Sequence, residues 1–303
     1  MSSLTRALYP RAVWPRRPKP TPAGDDWALP YQERGPVKSI EGISLADVTS
    51  LYTGAQTEFL HLLYGQQIHI GGMKASIDLA ERARIGAGLS GIDLCCCNGA
   101  GMRFLVRFRN VASMVGVDAT ESVVERGRRL CREEELDDRI RFVLADACQS
   151  GMPTSSADFV WGEDAWCYVV EKPRLIAEAA RLVRPGGVIA FTDWVEGPEE
   201  LSEVEAQRLL GMMNFPNVED IAGYTRLLRE SGCEVHVAED TGRFPSYVDL
   251  YLNMIEMQLT YDVLRTVASR SELLQTITDS FRFLGELSRG GKIVQARFIA
   301  RRL

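Results

Sequence analysis

The sequence predicts an α/β protein built on a doubly wound, mostly parallel sheet, and three observations carry that reading. From residue 91 onward short apolar runs alternate with stretches of helical period, the pattern of a sheet whose strands are joined by crossover helices. Several of these runs end in an acid or a glycine turn. The C-terminal "KIVQARFIARRL" alternates in the manner of a last strand, expected to be antiparallel to the rest.

In chain order, strands are expected near 91–95 (GIDLC), 114–118 (MVGVD), 140–145, 157–162 (ADFVWG) and 187–193 (GVIAFTD). Helices over 120–135 and 173–183 link them by right-handed crossovers, the second opening on Pro173 and stopping before "RPGG". A helix over 218–231, a strand over 233–239 and the C-terminal strand complete a seven-stranded, Rossmann-like arrangement. The remaining segments, about 198–217 and 244–288, are helical and rich in Met, Leu and Tyr. Helices inserted over the carboxyl edge of such a sheet are expected to form a lid or substrate pocket.

Residues 1–35 are set apart as an extended arm, and 36–303 form the catalytic domain. Within 1–24 lie five Arg or Lys, no acid, and prolines at 10, 15, 18, 20 and 22, which forbid a helix or central strand. An organelle transit peptide is similarly Arg-rich, but proline spoils its amphipathic helix. The arm and the lid helices are candidate homodimer surfaces.

A chain of 303 residues, 46% hydrophobic and 25% charged, is long enough for a large buried core. It contains no apolar run of about 18 residues, so no membrane insertion is expected. A net charge of -6 and a pI near 5.3 provide no global basic face for nucleic acid. Seven cysteines without framework spacing imply reduced thiols and a cytoplasmic protein.

Ligands of an open α/β sheet bind beyond the carboxyl ends of its strands. Acids gather there: Asp93 before the turn "CCCNGAG", Asp118, Asp146, and Glu163 with Asp164. Asp118 lies 19 residues after Gly99, placed to accept both hydroxyls of a ribose, which suits NAD and S-adenosylmethionine equally. Cysteine at 95 and 97 and an acid at 93 would crowd and repel a pyrophosphate. A sulfonium cofactor is cationic and carries no phosphate, so the acids favour it.

With these residues in view, the sequence resembles the class I S-adenosylmethionine-dependent methyltransferases over about residues 55–303. The family turn D-x-G-x-G-x-G matches Asp93, has Cys95 and Cys97 for two glycines, and matches Gly99. Within the family it looks most like the glycine/sarcosine/dimethylglycine N-methyltransferase group, through "YGQQIHIG" (64–71), "FVWGEDAWCYV" (159–169) and "RLVRPGGVIAFTDW" (181–194). The resemblance implies S-adenosyl-L-methionine as cofactor, held by Tyr64, Asp93, Cys95, Cys97, Gly99, Asp118, Ala119, Asp146, Ala147 and Glu163. It implies catalytic roles for His69, Asp193 and Tyr168, and an acceptor beside Trp166 and Trp194.

The expected acceptor is a small-molecule amine nitrogen, sarcosine- or dimethylglycine-like. Carbon or oxygen of an isoprenoid, aromatic or other natural product is the alternative, with a non-catalytic protein or an NAD-dependent oxidoreductase more remote. Should the pocket prove large, a lipophilic acceptor gains weight over dimethylglycine. The three adjacent cysteines, read as part of an extended strand, point to opposite faces and are assigned to packing, with no metal expected.

Overall fold

The computed structural model describes residues 37–52, 65–257, 261 and 271–303. The arm expected over residues 1–35 lies outside the described residues, as does Tyr64.

The central sheet has seven strands in the order β4-β3-β2-β5-β6-β9-β8. These are β2 (Ser90–Leu94), β3 (Ser113–Asp118), β4 (Ile140–Leu144), β5 (Ala157–Glu163), β6 (Val183–Glu196), β8 (Cys233–Asp240) and β9 (Ile293–Arg302). Strands β2 to β6 pair in parallel, and β9 runs antiparallel between β6 and β8. The order reverses between β2 and β5, the switch point where ligands of such sheets bind.

The helices are α1 (Leu45–Leu51), α2 (Gly72–Arg82), α3 (Ala100–Phe108), α4 (Glu121–Glu133), α5 (Lys172–Leu182), α6 (Glu203–Met213), α7 (Ile221–Glu230), α8 (Phe244–Met257) and α9 (Ser271–Arg289). None among the described residues is long and apolar enough to cross a membrane. Because helices cover both faces, the central strands are buried on both sides: four of the five residues of β2 are buried. One core lies between the sheet and α5 and α7, around Leu175, Ile176, Phe191, Tyr224 and Phe298. The other, around Leu79, Leu105, Val124 and Trp161, lies against α2, α3 and α4.

A third cluster joins α6, α8 and α9 through Leu209, Leu210, Val248 and Leu284. It occupies the segments expected to be inserted helices. Strands β1 (Lys38–Ser39) and β7 (Asn217–Val218) form a two-stranded antiparallel pair that the sequence does not predict. Two residues each are too few for periodicity to register.

Strand β6 is longer than its expected span of 187–193: it starts where α5 ends and continues to Glu196. Asp193 therefore sits inside the strand, paired in register with Ala296 of β9, and not at a tip.

Candidate active site

The turn from β2 to α3 shapes the floor of the site. The strand ends at Leu94, and Cys95 (φ 63°) and Cys97 (φ 48°) are both left-handed, so the cysteines are not on an extended strand as their sequence suggested. They occupy the two positions where the family turn has glycine, the residue free to adopt that conformation. Such backbone costs roughly 1–3 kcal/mol per non-glycine residue and persists only where surroundings impose it. Here Cys95 N–H and Cys96 N–H donate to Val117 O (2.9 and 3.2 Å), and Cys97 N–H donates to Asp118 Oδ2 (2.9 Å).

Burial first, and Asp118 next, push the Cys97 thiol up to about 12, and Cys95 and Cys96 are raised well above the usual thiol range in the same way. The three stay protonated and serve as loop backbone and filling. Gly99, at φ 75°, caps α3; a Cβ there would meet Phe142 Cζ at 2.7 Å.

A first cavity of about 180 Å³ opens above this turn. The tip of β2 contributes Asp93, and the turn contributes Cys95 and Cys97. Beyond β3 and β4 come Asp118 with Ala119 and Asp146 with Ala147, and β5 ends in Glu163. Every expected cofactor residue that is described thus borders the cavity, except Gly99, which shapes the turn beneath it. Burial raises the Asp93 carboxyl well above the carboxylate range, with Glu163 and Asp118 adding to it. Asp118 is raised by burial too, opposed by the N–H groups of Thr120 (2.9 Å) and Cys97.

No Lys or Arg lines the cavity among the described residues. Two polar atoms at its wall, Glu163 Oε1 and Asn98 Nδ2, are buried with no hydrogen-bond partner. A Cβ on Gly101 would lie 3.0 Å from Glu163 Oε2, so a bare backbone faces this space. Uncompensated carboxylates with one acceptor and one donor in waiting fit a cationic, phosphate-free nucleoside. They do not fit a pyrophosphate.

His69 stands where this cavity meets a second one. Its side chain is 5% exposed, with Nε2 3.5 Å from Glu163 Oε1 and 3.2 Å from Ser76 Oγ. Gln67 Nε2 donates to the same Ser76 oxygen (3.2 Å), and the serine hydroxyl meets His69 Nε2 as donor or acceptor according to the imidazole tautomer. Asp164 anchors the segment carrying His69. Its Oδ2 accepts from Ile70 N–H (2.8 Å) and Gln295 Nε2 (2.8 Å), while Gln295 also donates to Ile70 O (3.0 Å).

Tyr168 lines both cavities and meets Tyr52 edge to face at 5.8 Å. Trp194 lines the second.

Two expected site residues lie elsewhere. Trp166 is fully buried: its indole N–H donates to Leu94 O (3.2 Å) and its ring stacks on Phe191 at 4.0 Å, so neither face can meet an acceptor. Asp193 is also fully buried and borders neither cavity. It accepts from Cys167 N–H (3.0 Å) and Tyr224 O–H (2.6 Å), and burial pushes its carboxyl up to about 6. It holds the 166–168 turn from below.

Sequence reasoning missed three positioning residues. Gln295 sits on β9, more than a hundred residues from its partner Asp164. Lys172, buried at the start of α5, donates to Val169 O (2.6 Å), Cys167 O (3.2 Å) and Asn217 Oδ1 (2.7 Å), tying down the turn that presents Tyr168. Arg103 grips Asn98 O (2.7 Å) and Gln66. A lone polar residue at a helix or strand position whose partner comes from another element leaves no local signal; only buried polar atoms in a folded chain expose it.

Residues 92–191 match the family model of the methyltransferase domain. The 27-O-demethylrifamycin SV methyltransferase of Amycolatopsis mediterranei is 28% identical over 204 residues, covering 63% of this chain and 75% of the relative. A solved structure from Galdieria sulphuraria, described as a candidate sarcosine dimethylglycine methyltransferase, superposes with a TM-score of 0.70 at 20% identity, covering 82% of this chain and 97% of that one. Phosphoethanolamine N-methyltransferase 2 of Haemonchus contortus superposes with a TM-score of 0.76 at 17% identity over 86% of this chain and 60% of its own. Residues 92–191 thus carry a methyltransferase domain, and the chain is an S-adenosylmethionine-dependent methyltransferase similar to the class I enzymes, with S-adenosylmethionine as its cofactor. It is an enzyme that methylates small molecules.

Proposed function

We propose that the protein methylates a hydroxyl oxygen of its acceptor, with His69 as the group that takes the hydroxyl proton. Bound S-adenosylmethionine supplies a methyl group made electrophilic by a positively charged sulfur. In this reading Asp118, whose carboxylate keeps spare lone pairs after accepting two backbone N–H groups, receives the ribose hydroxyls. Asp93 and Glu163 supply negative charge beside the cation, and Asp146, at the exposed rim, together with Ala119 and Ala147 flanks the base. Gly101 and the first turn of α3 accommodate the amino-acid end.

A neutral alcohol is a weak nucleophile and must lose its proton as it reacts, so a base beside the reacting oxygen is needed. One observation carries the choice: Nε2 of His69 sits at the junction of the two cavities, 3.5 Å from Glu163 Oε1. That carboxylate stabilises the imidazolium formed when the proton arrives. The relative from Amycolatopsis, named for an O-methylation, lends support. Against the amine reading stands the second cavity's lining, which among the described residues has no Lys or Arg to hold an amino-acid carboxylate. Arg243 is engaged by Asp78 (2.5 Å) and Arg289 by Asp249 (2.5 Å).

The test is an acceptor panel of phenols, aliphatic alcohols and secondary amines, read by mass spectrometry as methylated product and S-adenosylhomocysteine. Wild type is expected to favour hydroxyl acceptors, and His69→Gln to lose about 100-fold or more in kcat on them while still binding S-adenosylmethionine. Preference for amines, or an unimpaired His69→Gln, would overturn the reading.

A further inference from the structure

The second cavity, about 150 Å³, shares Tyr52, Ile68, His69, Asp164 and Tyr168 with the first and then runs under the inserted helices. Past that junction its character changes. Trp194 and Phe215 form one wall, Met212 and Met213 of α6 another, and Ile277 and Leu284 of α9 close it. Tyr251 O–H turns to the backbone oxygen of His69 (3.4 Å), and Ser280 O–H is spent within its helix on Thr276 O (2.7 Å).

Among the described residues the only Asp, Glu, Lys or Arg on the lining is Asp164, which is acidic and already clasped by Gln295 and Ile70. Among the described residues no Lys or Arg reaches the cavity. Arg282 of α9 pairs with Glu256 (2.7 Å) and Asp279 (3.2 Å), and Arg208 lies over the Phe283 ring at 3.9 Å. An anion carried into this space would lose its hydration and meet no described counter-charge. Apolar surface would instead be gained at every wall, and two adjacent methionines can repack around irregular shapes.

We infer that the acceptor is an uncharged, lipophilic molecule whose apolar body fills this second cavity while one hydroxyl reaches His69, and that acceptors carrying a phosphate, diphosphate or carboxylate are excluded. This rests on the methyl-transfer reading above and specifies its substrate class. It also separates the chain from structural neighbours whose names designate phosphorylated acceptors.

The probes are 2-naphthol and 2-naphthyl phosphate, of equal ring and opposite charge. Binding of each to the full chain saturated with S-adenosylhomocysteine is followed by fluorescence, and S-adenosylmethionine binding is measured in parallel by calorimetry. The naphthol is expected to bind at least about 30-fold more tightly than the phosphate. Met213→Arg, which brings a cation to the wall, is expected to narrow that ratio to about 3-fold or less. Leu284→Trp, which fills the space, is expected to abolish naphthol binding and leave cofactor affinity within about twofold.

Equal or tighter binding of the phosphate overturns the inference. So does naphthol binding that survives Leu284→Trp, or failure of both probes on a protein that binds the cofactor normally. Failure of cofactor binding in the wild-type chain would instead strike the methyl-transfer reading itself.

Discussion

Nε2 of His69 lies 3.5 Å from Oε1 of Glu163, and that carboxylate oxygen is buried with no hydrogen-bond partner. A base backed by an unspent carboxylate acts as a unit, so its two members should not contribute independently. Glu163→Gln is expected to reduce kcat on a hydroxyl acceptor by about 10- to 100-fold. Adding it to His69→Gln should cost little more than the histidine change alone. Steady-state kinetics of the two single variants and the double variant decide this; additive losses would separate the residues.

Cofactor binding should release a proton. The Asp93 carboxyl is held well above its ordinary range by burial and by Glu163 and Asp118. A cationic ligand favours the carboxylate form, so affinity for S-adenosylmethionine should rise with pH while Asp93 titrates and level off once it is ionised. The neutral sulfide S-adenosylhomocysteine should show a weaker dependence. Calorimetry in two buffers of different ionisation enthalpy counts the proton directly.

Asp193 leaves a signature in stability. Its folded carboxyl titrates at about 6 against an ordinary 3.8, so between those values the folded protein holds a proton that the unfolded chain has lost. Stability therefore carries no penalty from this group below about pH 4, falls as pH rises to about 6 and stays lowered above, by up to about 3 kcal/mol. Asp193→Asn should remove that component of the slope. Urea unfolding of both proteins across this range checks it, and parallel curves would refute it.

In the cofactor turn, Cys97→Gly should leave stability within about 1 kcal/mol, because relief of left-handed strain is offset by the greater freedom of glycine when unfolded. Cofactor affinity should persist. Gly99→Ala should destabilise by more than about 2 kcal/mol, since its φ is 75° and the added methyl meets Phe142. Thermal unfolding of the two variants separates these outcomes.

What the sequence makes legible is what repeats along the chain. Apolar runs announce the parallel strands, and acids at their ends announce Asp93, Asp118, Asp146 and Glu163 as one group. Asp193 escapes because the position where β6 ends depends on pairing with β9, which carries it three residues past an apparently finished strand. Trp166 escapes because an aromatic at a strand-end loop points to a ligand or to the core according to packing alone. The cysteine turn looks extended in the sequence because its left-handed residues, Cys95 and Cys97, are not glycines. The second cavity has no local mark, for its walls come from β6, α6, α8 and α9.

All of this depends on carboxylates at the strand tips holding the nucleoside, with Asp118 as the ribose acceptor. The most direct measurement is the calorimetric dissociation constant of S-adenosylmethionine for wild type and for Asp118→Ala, with folding of the variant verified by circular dichroism. The expected result is a loss of about 30-fold or more, as removal of two charge-assisted hydrogen bonds to a ligand implies. An affinity equal to wild type in a folded variant would contradict it.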